Sequence, residues 1–411
     1  MKINTKLCGE PGGRRVLEMW ENKKRRGAFR PCPRRVLMVP LVTMLPLLIM
    51  PALLLALAGC EKTTNVTAPA AEAETFVSSQ ACQACHPELY AEFSKTGHNF
   101  KLNRVSDASQ RGYFPFGDLP GPPAGYQWGD LSYVIGGFWW KARFIGNDGY
   151  IVTGTTAQYN VQTDRWVAYE TGKVVPYDCG PCHTTGYRYE GHQDGMPGMV
   201  GTWALNGIQC ERCHGPGSNH VHAPYDFPLR VDRSAGLCGE CHIRDDVSKI
   251  PSDAGFIKHH EQYNEMHATK KINFACVDCH DPHVSLHSQN PSRANAIKAR
   301  CETCHFKEAE AYAASDLPHY DLGTIDCTEC HMAYAVKSAE GQLARYRGDV
   351  KSHLFRINTN PAAKMFTSDG KYANGYLTLD YVCLRCHISQ TREWAEEHAP
   401  EVHPNLEGGV I

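Results

Sequence analysis

The sequence predicts a mainly α and irregular fold, with one small antiparallel β element between its first and second cysteine–histidine motifs. Three observations predict it. The pentapeptide Cys-x-x-Cys-His recurs eight times in 411 residues. All 16 cysteines after Cys60 belong to these motifs, which leaves none for a disulfide. A stretch of apolar–polar alternation, "WKARFIGNDGYIVTGT", lies in the long motif-free segment from Pro87 to Asp178.

The motifs come first because they set the chemistry. They pair Cys82 with Cys85 before His86, Cys179 with Cys182 before His183, Cys210 with Cys213 before His214, and Cys238 with Cys241 before His242. The remaining four pair Cys276 with Cys279 before His280, Cys301 with Cys304 before His305, Cys327 with Cys330 before His331, and Cys383 with Cys386 before His387. On one helical turn the thiols at i and i+3 reach the two vinyl groups of one porphyrin, and the histidine at i+4 lies beneath the ring as an iron ligand. Zinc knuckles also use Cys-x-x-Cys, but a tetrahedral zinc site has no reason to demand histidine directly after every second cysteine. A thioredoxin-like redox pair fails on the same ground. Eight covalently attached c-type haems are expected.

Haem is attached to cysteine outside the cytoplasm, so an export signal is expected. "RRVLMVPLVTMLPLLIMPALLLALAGC" supplies a basic flank and an apolar run from Val36 to Ala58. Pro40, Pro46 and Pro51 with the sharp end argue for a signal over a permanent span. Leu57-Ala58-Gly59-Cys60 resembles the lipobox of bacterial lipoproteins, which implies a signal peptide over 1–59, acylation of Cys60 and a membrane held through a lipid anchor. After Cys60, "EKTTNVTAPAAEAET" reads as a flexible tether over 60–78. Residues 1–60 carry 11 Lys+Arg and 3 Asp+Glu, leaving 31 basic and 41 acidic groups, a net −10, in the rest. Nothing there suggests nucleic acid. An acidic surface fits a basic or metal-bearing redox partner.

From Cys60 onward 352 residues serve eight motifs, so much of the apolar interior must be porphyrin. The apo chain is expected not to fold, as small metal domains do not. Gly146-Asn147-Asp148-Gly149 marks a hairpin turn, and a second turn at Gln162–Arg165 precedes "WVAY". Helices are expected after the first and last motifs. A boundary near Arg233 separates an N-terminal part, 79–232, with three motifs from a C-terminal part, 233–411, with five.

Thirteen of the 21 histidines lie outside the motifs, enough for bis-histidine ligation throughout. The distal candidates are His98, His220, His260, His267, His283, His319, His353 and His403. His260 and His267 are seven apart, so a helix would present both on one side. His283, in "CVDCHDPH", is three residues past His280, and Asp281-Pro282 favours a turn out of the helix. The chain cannot easily swing His283 to the far side of His280's own porphyrin. It is therefore expected to ligate a neighbouring haem. His192, His287 and His398 are weaker candidates.

"SKTGHNF", "CHTTGY", "GIQCERCHGPGSNHV" and "CVDCHDPH" resemble the multihaem cytochromes grouped around cytochrome c-554. The resemblance runs from about Ser78 to Ile411 and is densest at 179–222 and 259–283. It implies extracytoplasmic electron transfer, close haem pairs, and distal ligation by His98, His220 and His283. Cytochrome c-554 itself is tetrahaem, so the later motifs extend that pattern. The function expected is an electron relay across the periplasm or at the outer membrane of a Gram-negative-type bacterium, in respiratory or extracellular electron transfer. An octahaem reductase or oxidase of small nitrogen or sulfur compounds with one open haem is the alternative. A homo-oligomeric, filament-forming subunit is the third reading. No motif is Cys-x-x-Cys-Lys, which favours a carrier with no catalytic residues over an enzyme.

Overall fold

The expected β element is larger than the sequence suggested. Seven strands form one antiparallel sheet: β1 (Leu102–Arg104), β2 (Leu131–Gly136), β3 (Lys141–Gly146), β4 (Tyr150–Ile151), β5 (Gly154–Asn160), β6 (Arg165–Tyr169) and β7 (Val175–Pro176). The order runs β1-β2-β3-β4-β7, with β5 bridging β3 and β6. Both expected turns are present. The Gly149 N–H donates to the Gly146 carbonyl at 3.0 Å, and Thr163 closes on Asn160 at 3.3 Å. Gly149 must be glycine: its φ is +85°, and a Cβ there would meet the Met199 amide nitrogen at 2.7 Å.

Alternation along β2 and β3 explains why the sheet has two apolar faces. Tyr133, Ile135 and Ile145 pack with Leu102, Tyr177, Met199 and Trp203 on one side. Val134, Ala142 and Phe144 pack with Ala157 and Tyr159 on the other. Short strands β8 (Thr184–Thr185) and β9 (Leu205–Asn206) pair beside the second and third motifs. A second, four-stranded sheet orders β10 (Ser252–Asp253), β11 (Phe256–Lys258), β12 (Val336–Gln342) and β13 (Arg347–Val350), with β11 and β12 parallel. The two sheets are tied together. Lys141 Nζ donates to the Ser338 carbonyl at 2.5 Å, and Asn160 Nδ2 to Glu340 Oε1 at 2.7 Å.

Helices are short throughout, none longer than the eight residues of Phe306–Ala313 among those described. The helices expected beyond the first and last motifs are Pro87–Phe93 and Arg392–His398, the latter capped by Thr391 Oγ1 accepting from the Trp394 N–H. One expectation fails. The helix Gln262–His267 starts after His260, which sits at φ +70°, so His260 and His267 do not share a helical face. The left-handed turn aims the two imidazoles independently.

This computed structural model describes residues 73–107, 119–286, 292–315, 317, 319 and 325–404. They belong to one compact unit, Ala73–Ile411. The signal segment, Cys60, most of the tether and His287 lie outside the described residues. Among those described, no helix is long and apolar enough to cross a membrane.

Candidate haem sites

Each motif is wound as one turn, with the histidine amide bonded back to the first cysteine. His86, His242, His280, His305 and His387 each donate to that carbonyl at 2.9 Å. All 16 motif cysteines are free of disulfides. Among the described residues no three His, Cys, Asp or Glu side chains converge as a small-metal site.

The histidines converge in pairs instead. His86 faces His220 with ring centroids 6.4 Å apart, and His214 faces His283 at 6.3 Å. His98 and His242 stand 6.4 Å apart, His280 and His353 6.2 Å, His331 and His403 6.3 Å, and His319 and His387 5.6 Å. Two imidazoles on opposite sides of one metal, each bonded at about 2 Å, hold their centroids roughly 6.3 Å apart. Five motif histidines therefore have a second imidazole at the spacing that an intervening iron requires, and a sixth, His387, has one about 0.7 Å closer. His283 meets the third motif's histidine, not its own.

Hydrogen bonds orient these rings. Nδ1 of His214 faces the Arg230 carbonyl at 2.8 Å, His331 that of Phe355 at 2.8 Å, His220 that of Phe227 at 2.9 Å and His403 that of Glu308 at 3.1 Å. A carbonyl accepts only from an Nδ1–H, and that tautomer leaves the Nε2 lone pair free for a metal. Burial does the rest. It pushes His98, His183 and His353 down to about 3, which keeps these imidazoles neutral. The residues present fit c-type haem.

Neighbouring motifs touch through their thiols. Cys82 lies beside Cys210, Cys182 beside Cys241, Cys238 beside Cys276, and Cys301 beside Cys327, each close enough for one thiol to influence the other's proton. Motifs 1 and 3 are clamped further by Glu211, which is 2% exposed. Its Oε1 accepts from the Val77 and Gly217 amides and its Oε2 from Ser78, each at 2.8 Å.

Two motif histidines lack an imidazole partner among the described residues. His183 Nδ1 is buried without a hydrogen bond. Besides burial, the positive field of Lys101, Arg143 and Lys141 depresses its proton affinity, although burial also lowers the proton affinity of both lysines, Lys141 to about 7. His260 lies 4.3 Å from His259 and 6.0 Å from His242, and within electrostatic range of His183. His305 faces Lys271. Of the other candidates, His267 packs against Tyr263 at 4.6 Å and His398 stacks on Trp394 at 4.6 Å, while His192 Nδ1 faces the Met199 carbonyl at 2.6 Å. Sequence reasoning missed Glu211, Lys271 and the basic side chains that act on His183. No motif marks them, because each acts through a contact between segments far apart in the chain.

A family model described as "Cytochrome c554 and c-prime" matches residues 154–215, which span the second and third motifs. The chain resembles the multihaem c-type cytochromes in its eight motifs and in this match. A relative from Shewanella baltica (strain OS185), the multihaem cytochrome MtrA, is 23% identical over 234 residues, 54% of this chain and 55% of that one. The chain thus spans about half the length of this relative. The crystal structure of the outer cell wall cytochrome OcwA superposes with a TM-score of 0.51 at 18% identity, over 79% of this chain and 86% of that one. The octahaem sulfite reductase MccA of Wolinella succinogenes gives a TM-score of 0.55 at 14% identity, over 82% and 69%. At such identities the likeness to these structures is one of fold.

Proposed function

We propose that this chain carries eight c-type haems and relays electrons between redox proteins outside the cytoplasm. The observation that carries the reading is the set of six histidine pairs. An iron closed on both sides by imidazole has no position for substrate, and its coordination changes little on reduction. When bound, haem supplies one-electron chemistry between ferric and ferrous iron. The chain's own residues then set the spacing. Thiol contacts link motif 1 to 3, 2 to 4, 4 to 5 and 6 to 7, and the pair His214–His283 binds a residue beside motif 5 to motif 3. Such contacts keep neighbouring porphyrins within short transfer distance.

In this reading 1–59 is an export signal, Cys60 carries the lipid anchor, and 60–78 lifts the haem-bearing parts, 79–232 and 233–411, off the outer membrane. EPR of the oxidised holoprotein, with haem counted by pyridine haemochrome, tests the relay. The expected result is eight haems, with at least six low-spin. His283→Ala should turn one haem high-spin, at motif 3. Retention of every low-spin signal in that variant would overturn the assignment.

A second reading has its own observation. His183 lies in the electrostatic range of Lys101, Lys141 and Arg143 and lacks a facing imidazole among the described residues, a setting suited to a small anion at an open iron. A native high-spin haem that shifts on adding nitrite or sulfite would favour the reductase. Loss of low-spin character only on dilution would favour a filament that supplies a ligand in trans.

A further inference from the structure

We propose that Lys271 is the axial ligand opposite His305, which gives the sixth motif a histidine–amine haem among imidazole pairs. This rests on the reading that motif 6 carries haem. The observation is at atomic level: Lys271 Nζ lies 2.9 Å from His305 Nε2. Nε2 is the atom that a motif histidine turns toward its iron. The other ring nitrogen points elsewhere, with Nδ1 3.6 Å from Glu308 Oε1. At His214 and His331 the Nδ1 atom likewise faces an oxygen, a backbone carbonyl at 2.8 Å. At six sites a second imidazole stands opposite the motif histidine. At His305 the group opposite is an amine.

Local structure explains why Lys271 is there. The turn Lys270–Asn273 is capped by Thr269, whose Oγ1 accepts from the Lys271 amide at 3.1 Å. The cap fixes the Lys271 backbone between the helix Gln262–His267 and motif 5. Its ammonium nitrogen sits 5.4 Å from the centre of the Phe274 ring. An iron between Nζ and Nε2 needs those atoms about 4 Å apart, two bonds of about 2 Å each. Lysine's four-carbon stem supplies that small retreat by bond rotation, where a backbone-fixed donor could not. Ligation uses the nitrogen lone pair, so the amine enters the site having released its proton to solvent. His305 is exposed in the protein portion of the site, which leaves that proton a way out.

A plain hydrogen bond from Lys271 to a free imidazole would give the same contact, and substitution separates the two. The full-length holoprotein is compared with Lys271→Ala, Lys271→Arg and Lys271→His by EPR and near-infrared magnetic circular dichroism. Wild type should show one histidine–amine low-spin haem. Alanine removes the donor, and arginine keeps the charge but has no lone pair to give. Each should convert one haem in eight to high spin, and histidine should restore it as a bis-imidazole centre. Unchanged low-spin spectra in the alanine and arginine variants would overturn the proposal. So would conversion of the same haem by His267→Ala or His287→Ala with Lys271 intact. The haem on the Cys301–Cys304 peptide is checked by mass in every sample. Its absence overturns the eight-haem reading, whereas full loading with an unchanged spin state overturns Lys271 alone.

Discussion

Glu211 is the sharpest test of how the protein, apart from its haems, holds two motifs together. Its carboxylate is buried, faces no Lys or Arg within ion-pair distance among the described residues, and accepts three backbone N–H bonds at 2.8 Å. Bonds to a charged acceptor contribute about 1.5–3 kcal/mol each, and the cost of burying the charge pulls the sum toward the low end. Glu211→Ala leaves three amides unsatisfied and should cost about 4 kcal/mol. Glu211→Gln keeps an oxygen for Val77 and Gly217 but turns an NH2 toward the Ser78 N–H, so about 2 kcal/mol is expected. Guanidinium unfolding followed by Soret circular dichroism measures both, and the coupled haem signal of motifs 1 and 3 should weaken in the same order. A loss below about 1 kcal/mol for alanine, or a glutamine variant as damaged as alanine, would refute the clamp.

Glu265 is fully buried, its Oε2 accepting from the His353 amide, and burial raises its carboxyl to about 8. The folded state thus keeps a proton that the unfolded chain releases near pH ~4.3, so stability from this group is full below that value and falls as pH climbs toward about 8. Glu261 is pushed the same way, to about 9, burial outweighing the Arg244 guanidinium 3.3 Å away. Unfolding midpoints should therefore drop between mildly acidic and mildly alkaline pH, less steeply in Glu265→Gln; identical slopes would refute the buried proton. Gly207 sits at φ +70°, where a Cβ would lie 2.3 Å from the Asn99 carbonyl oxygen. Gly207→Ala should cost about 3 kcal/mol and disturb the low-spin signal of the His98–His242 site, since Ile208 bonds the His98 carbonyl at 2.9 Å. An unaltered spectrum and midpoint would show that the loop gives way freely.

The motif histidines and the hairpin turns were legible because their chemistry is local: one helical turn, one Gly-Asn-Asp-Gly corner. The turn of His283 away from its own motif was legible because Asp281-Pro282 leads the chain out of the helix, and the structure sets its ring against His214. The partner's identity was not legible. Whether His283 meets His214 or another motif depends on how Glu211 and the thiol contacts fold motif 3 against its neighbours, and no period in the sequence encodes that. His260 and His267 illustrate the converse. Their seven-residue spacing suits a helix, yet the left-handed turn at His260 breaks it, a backbone choice that side-chain spacing does not encode. The extent of the sheet escaped for a similar reason, since β1 pairs with β2 across more than 25 residues.

The pairs also explain how so few helices of any length specify one structure. Partners are separated by 68 residues for His319–His387 and by 144 for His98–His242. With both imidazoles on one iron and the iron fixed to its motif, each pair closes a loop as a disulfide would. A loop of about 100 residues closed this way is worth roughly 4–5 kcal/mol of chain entropy. His98 ties the segment after motif 1 to motif 4, His220 ties the segment after motif 3 to motif 1, and His283 ties the segment after motif 5 to motif 3. No motif among these can be loaded without constraining another. On the proposed relay reading, the ligands that set the haem spacing are also groups that hold the chain in its fold, and a substitution that opens one iron should loosen the segment that lent the ligand. Lys271 fits this logic. It precedes motif 5 and reaches motif 6, joining two neighbours that no imidazole pair joins among the described residues.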